Sequence, residues 1–145
     1  MSELATFRNN AKKIFDFTME DLEQVTTIPA GFYDSCWHND ASPRLTSKTL
    51  ELDDDMIAVD IWVAEKDPAM RECDCGKQFE IIIDFGGMMY GYPSDSWEDI
   101  CKHAPMAMDL LMNVHKEAVN DGATEYTKYF DVFKDKAEKY GFWAN

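Results

Sequence analysis

The stretch from Met56 to Tyr92 constrains the fold more than any other part of the sequence. In MIAVDIWVA, Ile57, Val59, Ile61 and Val63 fall at every second position. In QFEIIIDF, Phe79, Ile81, Ile83 and Phe85 do the same. Successive side chains of a strand project to opposite faces, so this period of two predicts two strands, each with one buried face. Gly86-Gly87 follows the second run and supplies the backbone freedom of a tight hairpin turn. Met88, Tyr90 and Tyr92 then share one face of a returning strand. The remainder of the chain is expected to pack on this sheet.

Helical patterning flanks the sheet. Leu4, Phe7, Ala11, Ile14 and Phe15 form an i, i+3, i+4 stripe that predicts a helix over residues 3–17, capped by Ser2. Thr18 and Asp21 form a second capping signal, with a short helical turn through Val25. Ile28-Pro29 ends helical structure. Residues 31–39 (GFYDSCWHN) read as a strand. Phe32, Asp34, Cys36 and His38 would then lie on one face, and Tyr33, Ser35 and Trp37 on the other. Asn39 to Pro43 is turn chemistry, residues 47–52 are a short strand, and Asp53-Asp54-Asp55 is a charged turn into the core. After the sheet, Ser96 and Asp99 open a short helix to about His103, and Pro105 fits the first turn of a new one. Ala107, Leu110, Leu111, Val114 and Ala118 stripe that helix, and Gly122 ends it. Tyr126, Tyr129, Phe130, Phe133, Ala137 and Tyr140 stripe a last helix over residues 124–140. The expected fold is α+β in one domain over residues 1–145: an antiparallel sheet of about four to five strands, flanked by an N-terminal helix and C-terminal helices.

Charge narrows the choice of partners. With 28 acidic and 14 basic residues the net charge is −14, which repels nucleic acid and anionic membrane and favours a basic protein surface. No apolar run is long enough to span a bilayer, and the first residues lack the pattern of a secretory signal. The expected location is the cytoplasm, where Cys36, Cys73, Cys75 and Cys101 would be thiols or ligands.

Three groupings bear on chemistry. Cys36 and His38 lie two apart, as do Cys73 and Cys75, the latter in the long connector between the core strands. Together these four side chains have the donor types of a structural zinc site, although the spacing differs from the usual C-x₂-C knuckle. The first expectation is no cofactor, with Cys36 and Cys101 as small buried residues and Cys73 and Cys75 as loop thiols; a structural zinc is the alternative. Asp60, Glu80 and Asp84 occupy the strand faces opposite the apolar sets, together with Trp62 and Ile82. Such carboxylates either cluster for a hard cation or acid–base work, as in a small hydrolase, or form the solvated face of the sheet. Trp62 and Ile82 on the same face suggest a patch for a partner. The chain has no P-loop, dinucleotide fingerprint, serine elbow, H-E-x-x-H or calcium loop.

The run Trp37-His38-Asn39-Asp40 with the nearby Pro43, followed by Asp67-Pro68 and Arg71-Glu72, resembles a pattern in short acidic proteins of bacteriophages and prophages. The likeness covers the middle third of the chain. Where that pattern has a cysteine before the proline, this chain has Ser42. The resemblance implies an origin and no mechanism. It suits an accessory protein that inhibits a host nucleic-acid-handling or defence protein by imitating phosphate charge. The expected function is therefore non-enzymatic binding of a host protein with a basic surface. The candidate contact residues are Asp53, Asp54, Asp55, Trp37, His38, Asn39, Asp40 and Asp67. A zinc-stabilised interaction module and a metal-dependent hydrolase are the alternatives.

Overall fold

A computed structural model describes residues 2–71 and 76–145. Its elements are α1 (Glu3–Phe15), β1 (Phe32–Asp34), β2 (Arg44–Ser47), β3 (Leu50–Leu52), β4 (Asp55–Val63), β5 (Phe79–Phe85), β6 (Met88–Ser94), α2 (Trp97–Asn120), α3 (Phe130–Lys139) and β7 (Trp143–Ala144). Short 3₁₀ turns at Pro68–Met70 and Thr127–Tyr129 complete the description. The strands form one antiparallel sheet in the order β1-β2-β4-β5-β6-β7, with β3 beside β2 on the same side of β4. The fold is α+β as expected, with an N-terminal helix and C-terminal helices, but the sheet has seven strands rather than four or five.

The alternation in β4 and β5 builds the core. Ile57, Val59, Ile61 and Val63 are wholly buried, as are Phe79, Ile81, Ile83 and Phe85, and the register sets them side by side from Ile57–Phe85 to Val63–Phe79. Each such side chain stabilises the fold by about 1.5–3 kcal/mol relative to exposure. The helices cover this one face. α1 contributes Phe7 and Ala11, and α2 contributes a stripe from Trp97 to Ala118. From α3, Phe133 stacks on Phe85 with ring centroids 4.0 Å apart. Trp97 satisfies its indole by donating Nε1–H to the Thr27 carbonyl at 3.0 Å.

Several elements depart from the sequence expectation. The strand expected over residues 31–39 ends at Asp34, and Trp37 to Asp40 form a turn closed by the Asp40 N–H on the Trp37 carbonyl, 2.9 Å. Cys36 and His38 therefore do not share a strand face. Residues 47–52 do not form one strand. Between the pairs Thr46–Asp60 and Leu50–Ile57, residues 47–49 face only residues 58–59, which is a bulge. There the buried Ser47 Oγ accepts the Val59 N–H at 3.0 Å and replaces the missing ladder bond. Residues 97–120 form one helix, not two, with Pro105 inside it. Buried Ile100, Ala104, Ala107, Leu111, Val114 and Ala118 keep one stripe across the proline, whose ring is exposed to solvent. Packing on the sheet thus outweighs the one backbone bond that proline removes. Helix α3 starts at Phe130, six residues later than the stripe implies, because Tyr126 and Tyr129 are buried from a 3₁₀ turn. Thr18 and Asp21 do exchange hydrogen bonds, but they close turns rather than a helix.

Candidate docking face

The second face of the sheet carries no helix among the described residues. Pairing register brings its side chains into rows. One row runs Tyr33, Thr46, Asp60, Ile82, Gly91, Trp143, and its neighbour runs Arg44, Trp62, Glu80, Pro93. Ala58, Asp84 and Met89 form a third. None of these residues belongs to the hydrophobic core. Tyr33 is 45% exposed, Met89 43% and Trp143 59%, so large apolar side chains stand open to solvent around half-buried Trp62 and Ile82.

A charged network crosses the face. The Arg44 guanidinium lies 3.6 Å from Asp40 and 3.7 Å from Asp60, and its Cζ is 5.2 Å from the centre of the Trp62 ring. Thr46 donates its hydroxyl to Asp60 Oδ1 at 2.8 Å, and the Ser35 hydroxyl bonds to Thr46 in turn. Burial raises the Asp60 carboxyl above its ordinary pKa, outweighing the Thr46 hydrogen bond and the Arg44 charge. Two buried atoms, Asp40 Oδ2 and Arg44 Nε, have no hydrogen-bond partner among the described residues.

Asp84 accepts the Gly87 N–H at 2.9 Å and so anchors the hairpin. Glu80 differs from the other two carboxylates, because no described residue pairs with it. Burial alone raises its pKa. Its carboxylate lies across Gly91, where a Cβ would come within 2.8 Å of Glu80 Oε2 and of the Asn145 side chain. The glycine therefore leaves room for the Glu80 carboxylate and the Asn145 side chain. Asp60, Glu80 and Asp84 surround Ile82 rather than converging on a point. Among the described residues, no three His, Cys, Asp or Glu side chains are placed to hold a metal ion.

The residues expected from sequence to contact a partner divide by position. Asp53 and Asp54 are exposed in the β3–β4 turn. Asp55 is instead a brace: its carboxylate accepts the N–H of Met56 at 3.0 Å and of Tyr126 at 3.1 Å, tying β4 to the α2–α3 connection. Trp37, His38 and Asn39 project from the turn beside β2, with the Trp37 and His38 rings 4.6 Å apart. Asp40 turns inward to Arg44. Asp67 is exposed, and its Oδ1 accepts the Ala69 N–H at 3.0 Å at the head of a 3₁₀ turn. Of the expected zinc ligands, Cys73 and Cys75 lie outside the described residues. Cys36 is half-buried with Sγ 3.9 Å from the Arg44 carbonyl, and burial pushes its thiol up to about 12. His38 is exposed.

Sequence reasoning singled out Trp62, Ile82 and the three carboxylates but missed Arg44, Thr46, Tyr33, Met89 and Trp143. Their signal was parity: Arg44 and Thr46 alternate with Leu45 and Ser47. That run is too short to read without the register. No known family model matches the chain, and no curated protein or solved structure was found to be similar to it.

Proposed function

We propose that this is a non-enzymatic binding protein whose open sheet face docks on a basic protein surface, and that the partner is a nucleic-acid-handling protein. The supporting observation is the uncovered face itself. It sets exposed Tyr33, Met89 and Trp143 around half-buried Trp62, Ile82 and carboxylates. Apolar area supplies affinity, and the surrounding negative charge selects a positive partner and speeds encounter. The chain's net charge of −14 supports the same choice. In this reading the exposed Asp53, Asp54, Trp37, His38, Asn39 and Asp67 form the rim. An origin in a bacteriophage, with a host defence protein as target, is part of the proposal and rests on the resemblance of residues 37–72 alone.

The test is comparative capture. Wild-type protein, Ile82→Asp and Asp135→Asn, the last an exposed carboxylate on α3, are immobilised and exposed to host lysate at low salt. The reading expects a protein retained by wild type and Asp135→Asn and released by Ile82→Asp, with retention falling as salt is raised. Equal retention by all three proteins would remove the open face from consideration.

A further inference from the structure

The sheet face contains a carboxylate that no described residue pairs with. Asp60 has Arg44, and Asp84 has the hairpin amide, but Glu80 has no described partner. All three border Ile82: Asp60 is directly across from it, while Glu80 and Asp84 lie two positions to either side. Residues two apart on a strand are spaced by about 6.5 Å, and cross-strand neighbours by about 5 Å. A planar cation spans those gaps and rests on the apolar side chain between them.

The protein already uses this arrangement once. The Arg44 guanidinium lies over the Trp62 ring with one carboxylate, Asp40, on one side and another, Asp60, on the other. The adjacent position in the same row repeats those features: Glu80 is directly across from Trp62, with Asp60 diagonal to it. Among the described residues, no cation is paired with Glu80 at that position.

We propose that the open face is a receptor for an arginine-bearing segment of the partner protein, with the incoming guanidinium held between Glu80 and Asp60 beside Trp62 and over Ile82. This inference rests on the docking reading above and names the chemistry that the docked surface must supply. Arginine fits better than lysine for two reasons. A guanidinium is flat and weakly hydrated, so it stacks on indole and leaves water more readily than an ammonium. Its fork of donors also meets two carboxylates at once. Trp143 and Met89, exposed on the adjoining strands, would bury the segment's apolar side chains.

The test is a titration of isotope-labelled full-length protein at low salt with two short acetylated peptides, Gly-Arg-Leu-Arg-Gly and Gly-Lys-Leu-Lys-Gly. The arginine peptide should shift amide signals of residues 58–62, 80–84 and 89–91, and bind at least about five-fold tighter than the lysine peptide. Glu80→Gln should weaken arginine binding by about five-fold or more and reduce the preference, while Asp135→Asn, exposed on α3, leaves both unchanged. Unperturbed signals elsewhere in Glu80→Gln report that the fold is intact. Equal affinities for the two peptides with shifts on the face, or wild-type affinity in Glu80→Gln, would overturn the arginine site and leave the docking face standing. Shifts confined to the Asp53–Asp54 turn, or none, would overturn both.

Discussion

Two residues show how single side chains set the behaviour of this sheet. Ser47 is wholly buried, and its hydroxyl accepts the Val59 N–H at the bulge between β2 and β3. Ser47→Ala would leave that N–H buried and unpaired, so we expect a loss of about 1–3 kcal/mol in urea unfolding. A loss of a few tenths would mean that the bulge closes its own ladder. Glu80 acts in the opposite direction. Burial raises its folded pKa above the unfolded value, so the native state binds the proton more tightly. Stability therefore falls as pH rises through the window between the two values, and the ionised carboxylate is a net cost at neutral pH. Glu80→Gln should therefore stabilise the free protein at pH 7. The gain should disappear below about pH 4, where wild-type Glu80 is protonated. Thermal midpoints of both proteins at the two pH values check this. A variant that is less stable at pH 7 would mean that Glu80 has a cationic partner in the folded chain. The same substitution is expected to weaken arginine binding, so stability and binding are opposed at this position.

At the scale of elements, α2 places packing against backbone chemistry. Its buried stripe continues through Pro105, which supplies no N–H to the Cys101 carbonyl one turn earlier. Because the ring is exposed, Pro105→Ala removes no core contact. It restores a helical donor and relieves the clash with the preceding turn, at the expense of a freer unfolded chain. We expect a net stabilisation of about 1–2 kcal/mol, read from the denaturation midpoint. Destabilisation would show that the proline geometry is required where α2 crosses the sheet. Pro105 also explains part of what the sequence could not convey. Read locally, a proline after a capped turn is a helix start. Only the stripe shared by Ile100, Ala104 and Ala107 shows one helix, and it emerges when the sheet gives all three a common surface. β4 and β5 were legible because every second residue is strongly apolar over seven or more positions. β2, β3 and β7 have two to four residues each, and their identity as strands comes from pairing partners distant in sequence. The docking face was half legible for the same reason. Asp60, Trp62, Glu80, Ile82 and Asp84 belong to the long strands, whereas Arg44 and Trp143 reach them only through register. The bracing role of Asp55 is not legible in the sequence because the Tyr126 N–H that it accepts is 71 residues away.

For the whole molecule, the net charge of −14 makes two equilibria respond to salt with opposite sign. In the free protein, 28 acidic residues stand against 14 basic ones. Their mutual repulsion is greater in the compact state than in the expanded one. Raising sodium chloride from about 20 to 200 mM shortens the Debye length from roughly 20 Å to 7 Å and screens that repulsion. The thermal midpoint should therefore rise by about 2–5 °C over this range. Close ion pairs such as Arg44 with Asp60 lose some strength at the same time. Among the described residues they are few beside the net charge of −14, which fixes the sign of the net effect. Binding to a basic partner loses attraction over the same interval, so its affinity should fall while the stability of the protein rises. Measuring both in one buffer series separates specific docking from salt-induced unfolding, since unfolding would lower the two together. A midpoint that falls with salt would mean that local ion pairs outweigh the long-range repulsion. An affinity unchanged by salt would assign the docking energy to Trp62, Ile82, Met89 and Trp143 and reduce the carboxylates to bystanders.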